Sequence, residues 1–190
     1  MKITSGKYKY RNIEVPKGIR PTTEKVREAV FSMLMQWLPD AEVLDLFAGS
    51  GAMGLEALSR GAAGCVFVEM NRQNHRVLLS NIANCGAGAE AVVLNRDFES
   101  ALTEISGRKE KPVFDIVILD PPYEKTVYYA TAMMKLQELD LVDEGSVVVC
   151  EHLYDNKLSD TYGKLVKFKE KKYGSIGVDL FIVDNREPFC

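Results

Sequence analysis

The chain is poor in the residues that most often build metal centres. It has two histidines, His75 and His152, and neither has a partner spaced for metal or triad chemistry. Its four cysteines, Cys65, Cys85, Cys150 and Cys190, lie far apart and form no C-x-x-C pair. A zinc site or a disulfide framework needs clustered cysteines, so these read as reduced thiols and no metal is expected. No apolar run approaches the roughly 18 residues that mark a membrane span. The first residues, Met1-Lys2-Ile3-Thr4-Ser5-Gly6, lack the apolar stretch of a secretion signal. Both absences point to a cytoplasmic protein. No repeat or low-complexity tract is visible, and 190 residues suffice for one good core but are short for two.

What is present is unevenly spread. The net charge is −3, yet Lys2, Lys7, Lys9, Arg11, Lys17, Arg20, Lys25 and Arg27 against Glu14 and Glu24 leave residues 1–27 at +6. A basic segment on an acidic body suits a polyanionic partner met at one face. A second basic group, Lys164, Lys167, Lys169, Lys171 and Lys172, lies near the C-terminus.

Hydrophobic patterning divides the chain. Ile3, Tyr8, Tyr10, Ile13 and Val15, punctuated by Gly6, Pro16 and Gly18, predict a short β-hairpin over residues 1–19. Arg20-Pro21-Thr22-Thr23 opens a helix whose Val26, Val30, Met33, Leu34 and Trp37 recur at helical spacing until Pro39. Short apolar strands near 42–47, 64–69, 90–94, 113–119 and 145–151 then alternate with helices near 52–61, 72–84, 97–106 and 126–139. That alternation predicts a doubly wound α/β fold with a mostly parallel sheet. Residues 165–168 and 178–183 flank Tyr173-Gly174-Ser175-Ile176-Gly177 as an antiparallel hairpin closing the sheet edge.

The first strand runs into Asp45-Leu46-Phe47-Ala48-Gly49-Ser50-Gly51-Ala52-Met53-Gly54. Gly49, Gly51 and Gly54 satisfy G-x-G-x-x-G between strand and helix, and Glu69 ends the next strand, where an acid can bind a ribose diol. This fits a dinucleotide or S-adenosylmethionine (AdoMet). Asp45 at the mouth of the loop would repel a pyrophosphate but suits an ammonium group, and the chain is short for a separate substrate domain. Both favour AdoMet. After the third strand, Asp97 can accept from the adenine amino group or cap a helix, and Phe98 can lie against the ring.

Asp120-Pro121-Pro122-Tyr123 follows the buried run 113–119. An exocyclic amino group on a base is a poor nucleophile because its lone pair is delocalised into the ring. Two acceptors that hold its N–H bonds, the Asp120 carboxylate and a carbonyl at Pro121, can turn it out of conjugation. Proline fixes φ and removes competing donors, and Tyr123 can stack on the base. Glu151 also ends a central strand at the ligand-binding edge, where a structural role is the plainer reading.

Leu44 to Gly51 with Asp120-Pro121-Pro122-Tyr123 resembles AdoMet-dependent amino-methyltransferases of nucleic-acid bases. Arg20 to Glu28 and Gly54 to Ala62 narrow the resemblance to the RsmD family, the bacterial 16S rRNA guanine-N2 methyltransferases. It implies a Rossmann-like class I methyltransferase fold with a seven-stranded sheet over residues 20–190, extended by the hairpin 1–19. It implies AdoMet held by Asp45, Phe47, Gly49, Ser50, Gly51, Glu69, Asp97 and Phe98. Asp120, Pro121, Pro122 and Tyr123 would hold the target amine. Lys7, Lys9, Arg11, Arg20, Thr22 and Arg27 would face 16S rRNA, presented on the small subunit or its assembly intermediate to a monomeric enzyme. Methylation of adenine or cytosine in DNA, and a non-catalytic nucleotide- or RNA-binding module, are the alternatives. The absence of a DNA-recognition domain counts against the first, and the intact tetrapeptide against the second.

Overall fold

The computed structural model describes residues 1–18, 22–122 and 124–185. Five helices and eight strands follow in the order α1 (Glu24–Met33), β1 (Glu42–Asp45), α2 (Ala52–Ser59), β2 (Gly64–Val68), α3 (Arg72–Cys85), β3 (Ala91–Leu94), α4 (Phe98–Ser106), β4 (Ile116–Leu119), α5 (Val127–Glu138), β5 (Val147–Leu153), β6 (Thr161–Tyr162), β7 (Leu165–Tyr173) and β8 (Ile176–Val183).

One sheet runs β3-β2-β1-β4-β5-β8-β7-β6. The first five strands in that order are parallel, and β8, β7 and β6 pair antiparallel. The parallel strands are short and apolar because both faces are covered. Ile116 to Leu119, for example, are all buried. One face packs against α1, α2 and α3, the other against α4 and α5. The sheet has eight strands where seven were expected. The extra one, β6, is only two residues long, too short to leave a periodic signal.

The parallel order reverses at β1, which lies between β2 and β4. Ligands in doubly wound sheets bind at such a switch point, beyond the strands' C-terminal ends. Gly51 begins α2 in the left-handed region at φ 79°. Gly54 lets α2 approach β2, since a Cβ there would lie 2.3 Å from the Phe67 ring and 2.7 Å from Cys65 Sγ.

The N-terminal strand pair is reduced to a single antiparallel bridge, Lys2 to Asn12. Backbone bonds between Met1 and Ile13 and between Ile3 and both Tyr10 and Arg11 close the segment as a compact hairpin-like loop. Turns at Gly6 (φ 80°) and Tyr10 (φ 71°) leave no room for longer arms. Ile3 and Ile13 are buried in the core beneath α1, α2 and α3. A Cβ on Gly6 would fall 1.7 Å from the Ser59 carbonyl oxygen, so the loop sits directly on the end of α2. Helix α1 ends at Met33 rather than near Pro39, with Leu34 as its C-cap. No helix among the described residues is long and apolar enough to cross a membrane.

Candidate active site

A cleft of about 990 Å³ opens at the C-terminal edge of β1, β2 and β4. Asp45, Phe47, Gly49, Ser50, Glu69, Asp97, Phe98, Asp120, Pro121 and Pro122 all line it, together with Thr22. Residues distant in sequence therefore converge on one site. Gly51 does not line it. Its part is the turn, and a Cβ there would strike Leu78 at 2.3 Å. Tyr123, Arg20 and Cys190 lie outside the described residues.

Each acid is held by backbone. Asp45 accepts from the Gly54 N–H at 3.0 Å, satisfying an orphan donor in the first turn of α2. Burial pushes its carboxyl up to about 7, against the pull of that N–H, and nearby Glu69 adds to the rise. Glu69 accepts from Gly49 N–H at 2.9 Å and from Asn71 N–H at 2.7 Å, tying the glycine loop to the end of β2. A carboxylate has about four acceptor positions, so ribose hydroxyls can still be met. Asp97 is the N-cap of α4, accepting from Ser100 N–H at 2.9 Å, which holds its carboxyl below the usual range. It also lines the cleft, so capping and ligand contact are compatible.

Phe47, Phe98 and Tyr128 form an aromatic wall. Their ring centroids lie 4.9 to 6.0 Å apart, with Phe47 and Tyr128 stacked. Tyr128 was not foreseen. It opens α5, and only the tertiary structure brings it to Phe98.

At the other end of the cleft, Asp120 follows β4. Its carboxyl is pushed well above the ordinary range, first by burial and then by Glu151 and Asp45, against a hydrogen bond with Thr22. The Thr22 hydroxyl donates its one hydrogen to Glu151 Oε2 at 2.8 Å. The Tyr129 hydroxyl donates to the Glu151 carbonyl at 2.6 Å and fixes that end of β5. Glu151, treated in sequence as structural, therefore adjoins the candidate catalytic motif.

The residues expected to meet RNA separate. Lys9 and Arg11 are exposed, and Lys9 lies over the Tyr10 ring at 4.9 Å. Lys7 is exposed but pairs with Glu90. Thr22 is buried in the cleft rather than on an outer face. Arg27 is a correction. Its side chain is wholly buried and pairs with Glu56 at 3.1 Å, so it cannot face RNA. His152 is buried 3.3 Å from Asp179, away from the cleft lining.

Residues 1–182 match the family described as "Conserved hypothetical protein 95". Escherichia coli (strain K12) "Ribosomal RNA small subunit methyltransferase D" is 37% identical over 183 residues, covering 95% of this chain and 89% of the relative. The chain belongs to the RsmD family. A solved structure of a hypothetical protein from Thermus thermophilus is 30% identical to this RsmD-family chain. It has a TM-score of 0.82 and covers 96% of this chain and 99% of that one. An RNA methyltransferase from Salinibacter ruber, solved with S-adenosyl-L-homocysteine, shares 16% identity and a TM-score of 0.64 over 89% of this chain and 97% of that one, a likeness of fold. The RsmD-family architecture seen here is that of the class I AdoMet-dependent methyltransferases.

Proposed function

We propose that this methyltransferase moves a methyl group from AdoMet to the exocyclic N2 amine of a guanine in 16S rRNA of the small ribosomal subunit. The convergence of the Asp45–Glu69 loop and of Asp120-Pro121-Pro122 on one cleft carries the reading. The donor set fits AdoMet. Three acids, Asp45, Glu69 and Asp97, surround the glycine loop beside an aromatic wall. That suits a ligand with an ammonium, a ribose diol and an adenine, and disfavours a pyrophosphate.

In this reading Asp45 holds the ammonium, Glu69 the ribose, and Asp97 with Phe98 the adenine. Bound AdoMet supplies an electrophilic methyl group. Asp120 and the Pro121 carbonyl take the N–H bonds of the target amine and aim its lone pair, and Tyr123 stacks on the base. In-line placement of the reacting atoms at about 3–3.5 Å is worth roughly 7–11 kcal/mol of the barrier. The target base must first be unstacked, at a cost of a few kcal/mol, which phosphate contacts help offset.

Residues 1–19 serve in this reading as an RNA-facing extension of the catalytic domain 20–190, through Lys9 and Arg11, and Arg20 of the catalytic domain shares that role. The β7–β8 hairpin supplies a second contact. Lys171 pairs with Val178, which pairs with Glu151, so Lys171 and Lys172 lie two strands from the cleft at the same sheet edge. Beside them Lys157 and Lys172 lie over the Tyr154 ring at 3.6 and 4.1 Å. Basic rims around an acidic floor hold phosphates outside while the base enters. The enzyme acts in the cytoplasm as a monomer. Mass mapping of rRNA nucleosides from cells with and without the gene tests this reading. N2-methylguanosine should vanish from one position of 16S rRNA, and an unchanged 16S map would reject it.

A further inference from the structure

Glu151 has no part in the reading above, yet the sheet places it beside the reacting centre. Leu119 of β4 and Cys150 of β5 are register partners. Asp120, which follows β4, therefore starts next to Glu151 of β5, and the Thr22 hydroxyl adjoins both. Like charges in such positions repel. Alternation turns His152 to the other face, where it meets Asp179 rather than this pair. Glu151 is 5% exposed and Thr22 8%, and the Thr22 hydroxyl donates to Glu151 at 2.8 Å. Two carboxyls and one hydroxyl thus share a corner of the cleft, with Glu151 and Thr22 buried and Asp120 half-buried. Asp45 on β1 and Glu69 after β2 add negative charge to the cleft, whose charged lining also includes Arg96, Asp97, Glu99, Glu124 and Lys125.

We propose that Glu151 is a positioning residue for proton removal: beside Asp120 and tied to Thr22, its negative charge strengthens the Asp120 carboxylate as the acceptor of the proton that the target nitrogen sheds. The inference rests on the methyltransferase reading. In the step, the nitrogen lone pair forms the new C–N bond as the C–S bond breaks and its electron pair stays on sulfur. The nitrogen, now one positive charge richer, loses a proton to the Asp120–Glu151 pair, which goes from two negative charges to one. The proton then leaves to water through the open cleft. An isolated carboxylate is a weak acceptor near neutral pH. A neighbouring anion and a poorly solvated site raise its basicity toward the working range. The upward displacement of the Asp120 carboxyl agrees with this arrangement.

The test is the pH profile of kcat for tritium transfer from AdoMet to undermethylated small ribosomal subunits. Glu151→Gln keeps the size of the side chain and an acceptor for Thr22 but removes the charge. It should move the acidic limb to lower pH by about one unit or more and lower the plateau about tenfold or more, with AdoMet affinity unchanged. Thr22→Val, which removes a hydrogen bond that lowers the Asp120 value, should move the limb the opposite way. Opposite displacements support the proposal. A limb that stays in place in both variants, whatever happens to the rate, overturns it, and so does a limb moved the same way by both. If one variant does not fold, the direction given by the other decides. Absence of transfer by the unsubstituted enzyme would reject the methyltransferase reading instead.

Discussion

The Arg27 guanidinium meets the Glu56 carboxylate at 3.1 Å, and both side chains are wholly buried. Glu56 also accepts from the Thr4 hydroxyl at 2.6 Å, from the backbone N–H groups of Thr4 and Ser5, and from Arg60 at 2.8 Å. Arg27 in turn donates to the Lys2 carbonyl. These donors hold the Glu56 carboxyl below its usual range despite its burial. One acid on α2 thus joins the N-terminal loop, α1 and α2, and fixes the basic loop beside the cleft. A buried pair is weak evidence for stability in itself, but breaking one side strands a charge.

Arg27→Leu should therefore destabilise the fold by roughly 3–5 kcal/mol. For a chain of this size each kcal/mol lowers Tm by about 2–4 °C. Urea denaturation measures the effect. Unchanged stability with weakened rRNA binding would return Arg27 to the RNA surface.

Asp45 predicts a pH dependence of AdoMet binding. Its folded value of about 7 exceeds the ordinary 3.8. The folded chain thus takes up a proton that the unfolded chain does not hold between those values. This group's contribution to stability is present below pH 3.8 and is lost as pH rises through 7. An ammonium ligand needs the ionised form. Affinity should fall about tenfold per unit as pH drops below about 7 and level off above it. Calorimetric titration at several pH values checks this, and Asp45→Asn should bind weakly with a flat profile.

Gly54→Ala should push α2 away from β2, because the added methyl meets Phe67 and Cys65. Overpacking of this kind costs about 1–3 kcal/mol. The shift would also disturb the N–H that Asp45 accepts, so AdoMet affinity and thermal stability should fall together. Equilibrium dialysis beside a thermal melt would show it.

The paired change Lys171→Glu with Lys172→Glu should raise KM for small subunits while leaving AdoMet affinity unchanged. It should also lower the salt slope of RNA binding by about 0.7 for each lost phosphate contact. Lys109→Glu is the control, since exposed Lys109 lies between α4 and β4, at the opposite sheet edge. Equal effects from both would remove the hairpin from the RNA interface.

Much of this architecture is legible in sequence because its signals are local. Gly49, Gly51 and Gly54 mark a strand–helix turn whatever surrounds them, and the apolar runs around Val43, Val66, Val117 and Val148 lie within the observed parallel strands. The missed features depend on neighbours from elsewhere in the chain. Glu151 gains meaning only from the β4–β5 register, and Tyr128 only from the packing of α5 on α4. Arg27 did leave a signal. It sits one turn before Phe31, which is as buried as Val26 and Val30, so the apolar face of α1 is wide enough to include it. The +6 total counts it as surface charge because composition carries no burial. The N-terminal hairpin was legible as a reversal of the chain but not as strands, since Tyr10 adopts a positive φ that a β-forming side chain does not advertise.

Tritium transfer from labelled AdoMet by the purified protein tests the central claim most directly, with undermethylated small subunits and duplex DNA as competing acceptors. The account predicts label in N2-methylguanosine of 16S rRNA and its loss by at least about 100-fold in Asp120→Ala, with AdoMet still bound. Label in adenine or cytosine of the DNA, or full turnover by Asp120→Ala, would contradict it.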